Sequence, residues 1–184
     1  MNIASLIDDG YAWTAKRIAY GGDPGARTPC AEWSLRQLLN HLLGALDLHL
    51  DAVAGRPVDP SRRSPDIDRA GDDPARVFAA LAQRAATTWR EPGVLDRTAA
   101  LPMGTVPARV VASLHLTEVV VHGWDIGQAT GERTEIPAPL AAPILEFCHE
   151  FTPDAFRGTA FAAELPPPSD SPADQLLAFL GRAV

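Results

Sequence analysis

The segment HLTEVVVHGWDIGQATG, residues 115–131, carries the pattern that decides both the fold and the candidate site. Glu118 and His122 are four residues apart, with three valines between them. In an α-helix, residues at this spacing lie on the same face, so a carboxylate and an imidazole stand side by side. The apolar residues around them predict that this face is buried, where an unpaired charge is costly. A divalent cation would remove that cost, because it neutralises the carboxylate and uses the imidazole lone pair.

The rest of the chain shows apolar residues at helical spacing, interrupted by glycine and proline. Ser34 and Gln37 have the spacing of a capping box at the start of a leucine-rich helix. Asp73 and Pro74 are typical of another helix start. We predict a surface loop over 56–72, a short extended hairpin over 97–106, and helices over 2–20, 34–54, 73–91, 107–131, 139–151 and 174–180. Four long helices favour an all-α antiparallel bundle, forming one domain over residues 1–184.

A third metal ligand would have to come from another helix, and His41 is the candidate. It lies between leucine pairs in the second helix, at the edge of the apolar face, so it can point into the bundle where the fourth helix passes. The alternative is an ordinary core imidazole bonded to a main-chain carbonyl. The spacing alone leaves both interpretations open.

Two segments together resemble a known family: TPCAEWSLRQLLNHLLG at 28–44 and LTEVVVHGWDIGQATG at 116–131. They resemble the metal-binding N-terminal domain of mycothiol-dependent maleylpyruvate isomerase and its single-domain relatives, which belong to the DinB-like superfamily. PGVLDRTAALPMGTVPA at 92–108 and DQLLAFLGR at 174–182 extend the resemblance over nearly the whole chain. The resemblance implies a DinB-like four-helix bundle with a short extended hairpin and an extra C-terminal helix. It also implies a metal triad of His41, Glu118 and His122.

The resemblance further implies a chemistry linked to a low-molecular-weight thiol such as mycothiol. Isomerisation of maleylpyruvate itself is not expected to transfer, because in that enzyme a second, C-terminal domain contributes to catalysis. The first hypothesis is therefore a metal-dependent S-transferase or isomerase that uses a thiol. A hydrolase using a metal-bound hydroxide and a non-catalytic metal-binding or ligand-binding module are the alternatives. No catalytic residue beyond the metal ligands is predicted.

Two nitrogen ligands and one oxygen ligand leave a coordination position open, which is the pattern of catalytic zinc. Nickel, iron and cobalt accept the same ligand set, so zinc is the first expectation and not the only one. Asp125 and His115 share the face of Glu118 and His122, and we predict that they surround the ligands as orienting or pocket-lining groups. Other nearby residues are given structural roles: Cys30 is predicted to be packed, His49 half-exposed, and Trp33 part of the core.

Composition narrows the class of partner. The chain has 184 residues, with 16 basic and 23 acidic side chains, and a net charge of −7. An acidic protein of this kind is not expected to bind nucleic acid or an anionic membrane, so a small-molecule substrate is predicted. The acidic residues near the N-terminus do not fit a signal peptide, and we expect a cytoplasmic bacterial protein. A homodimer is compatible with the sequence.

Overall fold

The computed structural model describes residues 2–30, 32–133, 135–151 and 162–183. Its contacts divide the chain into two units, Met1–Arg133 and Thr134–Val184. The elements of the first unit, in chain order, are α1 (Ile3–Tyr20), α2 (Leu35–Val53), a 3-10 turn (Pro60–Arg63), α3 (Pro74–Thr88), a second 3-10 turn (Val94–Asp96), β1 (Thr98–Leu101), β2 (Gly104–Pro107) and α4 (Ala108–Thr130).

Local sequence signals account for where these helices begin. Ser34 and Gln37 form the predicted capping box at the start of α2, each side chain bonding to the other residue's main-chain N–H. Asp73 caps α3 by accepting from the N–H of Arg76, and Pro74 takes the first helical position. Gly131 ends α4 in the left-handed conformation that glycine adopts without strain. The predicted helices and the 97–106 hairpin are therefore confirmed to within a few residues.

The four helices of the first unit pack in a ring in which α4 contacts α1 and α2, and α3 contacts the same two helices. Contacts of Tyr11 with His115 and of Thr14 with Val119 show that α1 and α4 run in the same direction. Contacts of His41 with His122 and of His49 with His115 show that α2 and α4 run in opposite directions. The expectation of a simply antiparallel bundle is wrong for the α1/α4 pair, because the long connections between helices allow the chain to cross over.

The α4 helix is buried over most of its circumference, as expected of a central helix. It approaches α1 closely at Gly123, where an added Cβ would lie 2.2 Å from Thr14 Oγ1. The same Oγ1 donates a hydrogen bond of 2.8 Å to the carbonyl of Val119. This close crossing fixes the rotation of α4 and thus the direction in which Glu118 and His122 point.

A network of ion pairs fastens the loop between α2 and α3 to the bundle. Arg62 and Arg84 both pair with Asp47 and Asp51 on α2, and Arg56 pairs with Asp51 at 2.7 Å. Shared charges of this kind contribute more than isolated surface pairs. The predicted surface loop over 56–72 is therefore anchored at its 3-10 turn, close to the helix that carries His41.

The second unit contains α5 (Ala138–Phe151) and α6 (Pro172–Phe179), which pack against each other. Both agree with the sequence prediction within two residues, and an all-α fold with one short hairpin is confirmed. The single domain predicted for residues 1–184 stays a prediction. Among the described helices, none combines the length and the apolar character that crossing a membrane would require.

Candidate metal site

The three predicted ligands meet between α2 and α4. Glu118 Oε2 lies 3.2 Å from Nε2 of His122 and 3.6 Å from Nε2 of His41. One ligand atom from each of the three residues falls within 4.8 Å of the other two. All three side chains are largely buried, with exposed fractions of 8% for His41, 12% for His122 and 16% for Glu118. The structure thus brings together, from two helices, the residues that helical spacing and the family resemblance indicated.

Both imidazoles are fixed by a hydrogen bond from the nitrogen that faces away from Glu118. His41 Nδ1 donates to the carbonyl oxygen of Arg63 at 2.7 Å. His122 Nδ1 donates to Oδ2 of Asp125 at 2.9 Å. In a neutral imidazole with its hydrogen on Nδ1, Nε2 carries a lone pair. Such an outer acceptor is the usual companion of a metal-binding histidine, because it sets both the tautomer and the ring orientation.

When both rings are neutral and carry their hydrogen on Nδ1, two Nε2 lone pairs point toward Glu118 Oε2, a buried oxygen that is then left without a hydrogen donor among the residues the structure describes. A buried acceptor without a donor is costly, and a cation between the three atoms would remove that cost. The donor set therefore fits a divalent metal ion with two nitrogen ligands and one oxygen ligand.

Without a metal, a proton on His122 partly compensates the buried negative charge of Glu118. Burial alone would lower the pKa of His122, but its hydrogen-bonding partners, Asp125 foremost, raise that pKa well above its usual value. Burial alone would raise the pKa of Glu118, but the adjacent imidazoles of His122 and His41 hold it well below its usual range. The metal-free site is thus an imidazolium beside a carboxylate. A metal ion bound here would displace that proton, so its affinity would rise with pH.

Asp125 and Cys30 surround His122 on its outer side. Asp125 is fully buried, and its Oδ2 also accepts a hydrogen bond from the thiol of Cys30 at 3.4 Å. Cys30 Sγ lies 4.0 Å from His122 Nδ1. Cys30, which was predicted to be packed, lies half-buried against His122 and Asp125, because the segment before α2 folds back onto α4. The orienting role predicted for Asp125 agrees with its position.

Trp33 and Arg63 border the ligands on the side where they reach the surface. The Trp33 ring lies 4.4 Å from the His41 ring, measured between centroids, and 6.3 Å from the His122 ring. Arg63 Nη2 lies 3.6 Å from Glu118 Oε1. Trp33 is half-buried and so forms a wall of the site, which differs from the core position predicted for it. No periodic pattern or motif pointed to Arg63, since it lies in the loop over 56–72.

His115 lies deeper in the bundle than expected. Its Nε2 is 3.0 Å from the hydroxyl of Tyr11, and its ring lies 5.8 Å from that of His49. Burial lowers the pKa of His49 to about 4 and that of His115 well below its usual value, so both stay neutral. His49 is 4% exposed, and the prediction of a half-exposed side chain is wrong because the face of α2 that carries it packs against α4. The two imidazoles form a buried layer beneath the triad.

Comparisons with known proteins bear on the same region. A sequence model of the family described as Mycothiol maleylpyruvate isomerase N-terminal domain matches residues 11–127, which include the triad. An uncharacterized protein of Mycobacterium tuberculosis, matched in two strains, is 36% identical over 163 residues, or 87% of this chain and 85% of that protein. The fold is also similar to a crystal structure of a mutant mycothiol-dependent maleylpyruvate isomerase, with a TM-score of 0.60 and 16% identity. That similarity covers 89% of this chain and 74% of the other.

Proposed function

Because the chain belongs to the mycothiol maleylpyruvate isomerase N-terminal domain family, we propose that it binds one divalent metal ion and acts on a low-molecular-weight thiol. His41, Glu118 and His122 are the proposed ligands. Zinc is the first candidate, with nickel, iron or cobalt as alternatives for the same donors. Mycothiol, which the family description and the similar crystal structure both name, is the first candidate thiol.

The observation that carries this proposal is the convergence of three potential ligand atoms, two imidazole nitrogens and one carboxylate oxygen, between two helices. His41 and His122 each use Nδ1 to reach an outer acceptor, so that each Nε2 is directed toward Glu118. A structural zinc site would need a fourth protein ligand. Among the described residues, the groups that could hold an ion contain three members each, which supports a site with a position left for an exogenous ligand.

The residues of the chain have separable roles in this proposal. A bound zinc ion would lower the pKa of a coordinating thiol and so supply a nucleophilic sulfur near neutral pH. Asp125 holds the ring of His122 in place through its Nδ1, and the carbonyl of Arg63 does the same for His41. The indole of Trp33 provides an apolar wall that would exclude water from one side of the reacting sulfur. The second substrate is expected to be a small electrophile.

Cobalt substitution tests the proposal, because cobalt(II) has visible absorption and gives a charge-transfer band when a thiolate binds it. Purified protein would be loaded with cobalt and titrated with mycothiol and with cysteine. We expect a thiol-dependent charge-transfer band that reaches saturation, and no such band in His41→Ala. A cobalt-loaded protein that shows no response to either thiol, and that hydrolyses ester probes without thiol, would overturn the thiol chemistry in favour of a hydrolase.

A further inference from the structure

One loop residue, Arg63, contacts two of the three proposed ligands. Its carbonyl oxygen accepts from His41 Nδ1 at 2.7 Å, and its guanidinium Nη2 lies 3.6 Å from Glu118 Oε1. The two oxygens of Glu118 therefore have different partners, since Oε2 faces the two histidines while Oε1 faces Arg63. Among the described residues, the Arg63 guanidinium has this carboxylate as its one ion-pair partner, and the side chain is 45% exposed.

The position of Arg63 is built into the fold and does not depend on its own weak ion pair. Arg62, the residue before it, pairs with Asp47 and Asp51 on α2. The carbonyl of Arg62 accepts a hydrogen bond of 2.9 Å from Arg69 Nε. Gly44 of α2 lets the turn approach, because a Cβ there would lie 1.7 Å from the Arg62 carbonyl oxygen. These contacts hold the turn against the helix that carries His41.

We propose that Arg63 is a positioning residue that restricts Glu118 to one metal-binding oxygen and thereby keeps a coordination position open for an exogenous ligand. The inference rests on the proposed function, since it takes the triad to be a metal site. A carboxylate can bind a metal through one oxygen or through both. A cation beside Oε1 disfavours the second mode, because it attracts that oxygen and repels a metal ion that approaches it.

If Arg63 and Glu118 formed only an ordinary exposed ion pair, replacing Arg63 would have a different effect. Exposed pairs contribute little to stability, so the loss of this one would change neither the coordination of the bound ion nor the exchange of its ligands. A general structural role would lower metal affinity when Arg63 is replaced. A positioning role predicts that metal affinity is kept or raised, because loss of the cation removes a repulsion and frees a second oxygen.

The test compares cobalt-loaded wild type with Arg63→Gln and Arg63→Lys. Arg76→Gln is the control, because Arg76 is 82% exposed and lies in a different part of the first unit. For Arg63→Gln we expect cobalt affinity that is unchanged or several-fold higher, weaker visible absorption as the coordination number rises, and loss of the thiol-dependent charge-transfer band. Arg63→Lys retains the charge and should largely restore the wild-type spectrum. Arg76→Gln should match the wild type throughout.

Gly44→Ala provides a second variant that changes no side chain of the site. Its Cβ would force the turn away from α2 and take the carbonyl of Arg63 from His41. We expect cobalt affinity to fall about 10- to 100-fold, as is typical when an outer partner of a ligand is lost. Circular dichroism and the melting temperature of the metal-free protein would show whether the bundle remains folded.

The outcomes separate the two proposals. A wild-type protein that binds no cobalt would overturn the proposed function, and this inference with it. A wild-type protein that binds cobalt and thiol, with an Arg63→Gln variant whose spectrum, affinity and thiol response are the same, would overturn the role of Arg63 alone. Reduced cobalt affinity in a folded Arg63→Gln variant with an unchanged spectrum would also overturn it.

Discussion

The Nδ1 atom of His122 lies 2.9 Å from Oδ2 of Asp125, a carboxylate with no exposed surface. The two residues are three apart on α4, so the same helix that presents the ligand also presents the group that orients it. A second donor, the thiol of Cys30, reaches the same oxygen at 3.4 Å. A fully buried acid with two donors is held in one orientation, which in turn fixes the ring of His122.

Replacing Asp125 with Asn should weaken metal binding without removing a ligand. The amide carries no charge, and its hydrogen bond to His122 Nδ1 is weaker than that of a carboxylate. We expect zinc affinity to fall about 10- to 100-fold, measured by competition with a chromophoric chelator. Asp9→Asn, at an exposed position on α1, serves as the control for loss of one acidic charge. Equal affinity in Asp125→Asn and wild type would contradict an orienting role.

Asp51 is expected to stabilise the whole first unit through its arginine partners. Burial alone would raise its pKa, but the hydrogen bonds from Arg62, Arg56 and Arg84 lower that pKa to about 2. A lowered carboxyl pKa adds stability above the ordinary value of 3.8, and this stability is lost as pH falls through about 2. We expect Asp51→Asn to lower the free energy of unfolding at pH 7 by about 2 kcal/mol in urea titrations. A loss no larger than that of Asp9→Asn would contradict the prediction.

The buried His49 should make the metal-free protein sensitive to mild acid. Its pKa falls from the ordinary 6.5 to about 4 in the folded state, so the unfolded chain binds a proton first as pH decreases. The contribution of the neutral His49 to the free energy of unfolding is complete above pH 6.5 and is lost progressively between pH 6.5 and about pH 4. We expect wild type to lose about 3 kcal/mol more than His49→Gln between pH 7 and pH 4, measured by urea unfolding at several pH values. Parallel pH profiles for the two proteins would contradict the shift.

Much of the fold and the ligand set follows from local patterns in the sequence. The capping box at Ser34, the Asp73-Pro74 start and the glycine after α4 are short-range signals, and the helix boundaries agree with them. Glu118 and His122 share a face by helical periodicity, and the family resemblance supplied His41. The direction of α1 relative to α4 could not be read locally, because it depends on how long connections cross the bundle.

The surroundings of the ligands depend on contacts between distant parts of the chain. Arg63 contacts both His41, which lies 22 residues earlier in the chain, and Glu118. It belongs to a loop whose sequence has no periodic pattern. The thiol of Cys30 contacts Asp125, which lies 95 residues further along the chain, and no spacing rule predicts that contact. Gly44 is the one local signal that the loop approaches α2, because a glycine that interrupts a leucine-rich helix indicates that another segment comes close to the helix. The burial of His49 likewise depends on the packing of α2 against the distant helix α4.

The zinc content of the purified protein tests whether His41, Glu118 and His122 hold a metal ion. Wild type, His41→Ala and His149→Ala would each be loaded with zinc, dialysed against metal-free buffer and measured by elemental analysis. His149 is the control, because it is a histidine of the second unit. We predict close to one zinc ion per chain in wild type and His149→Ala, and almost none in His41→Ala. Full occupancy in His41→Ala, or no zinc retained by wild type, would contradict this prediction.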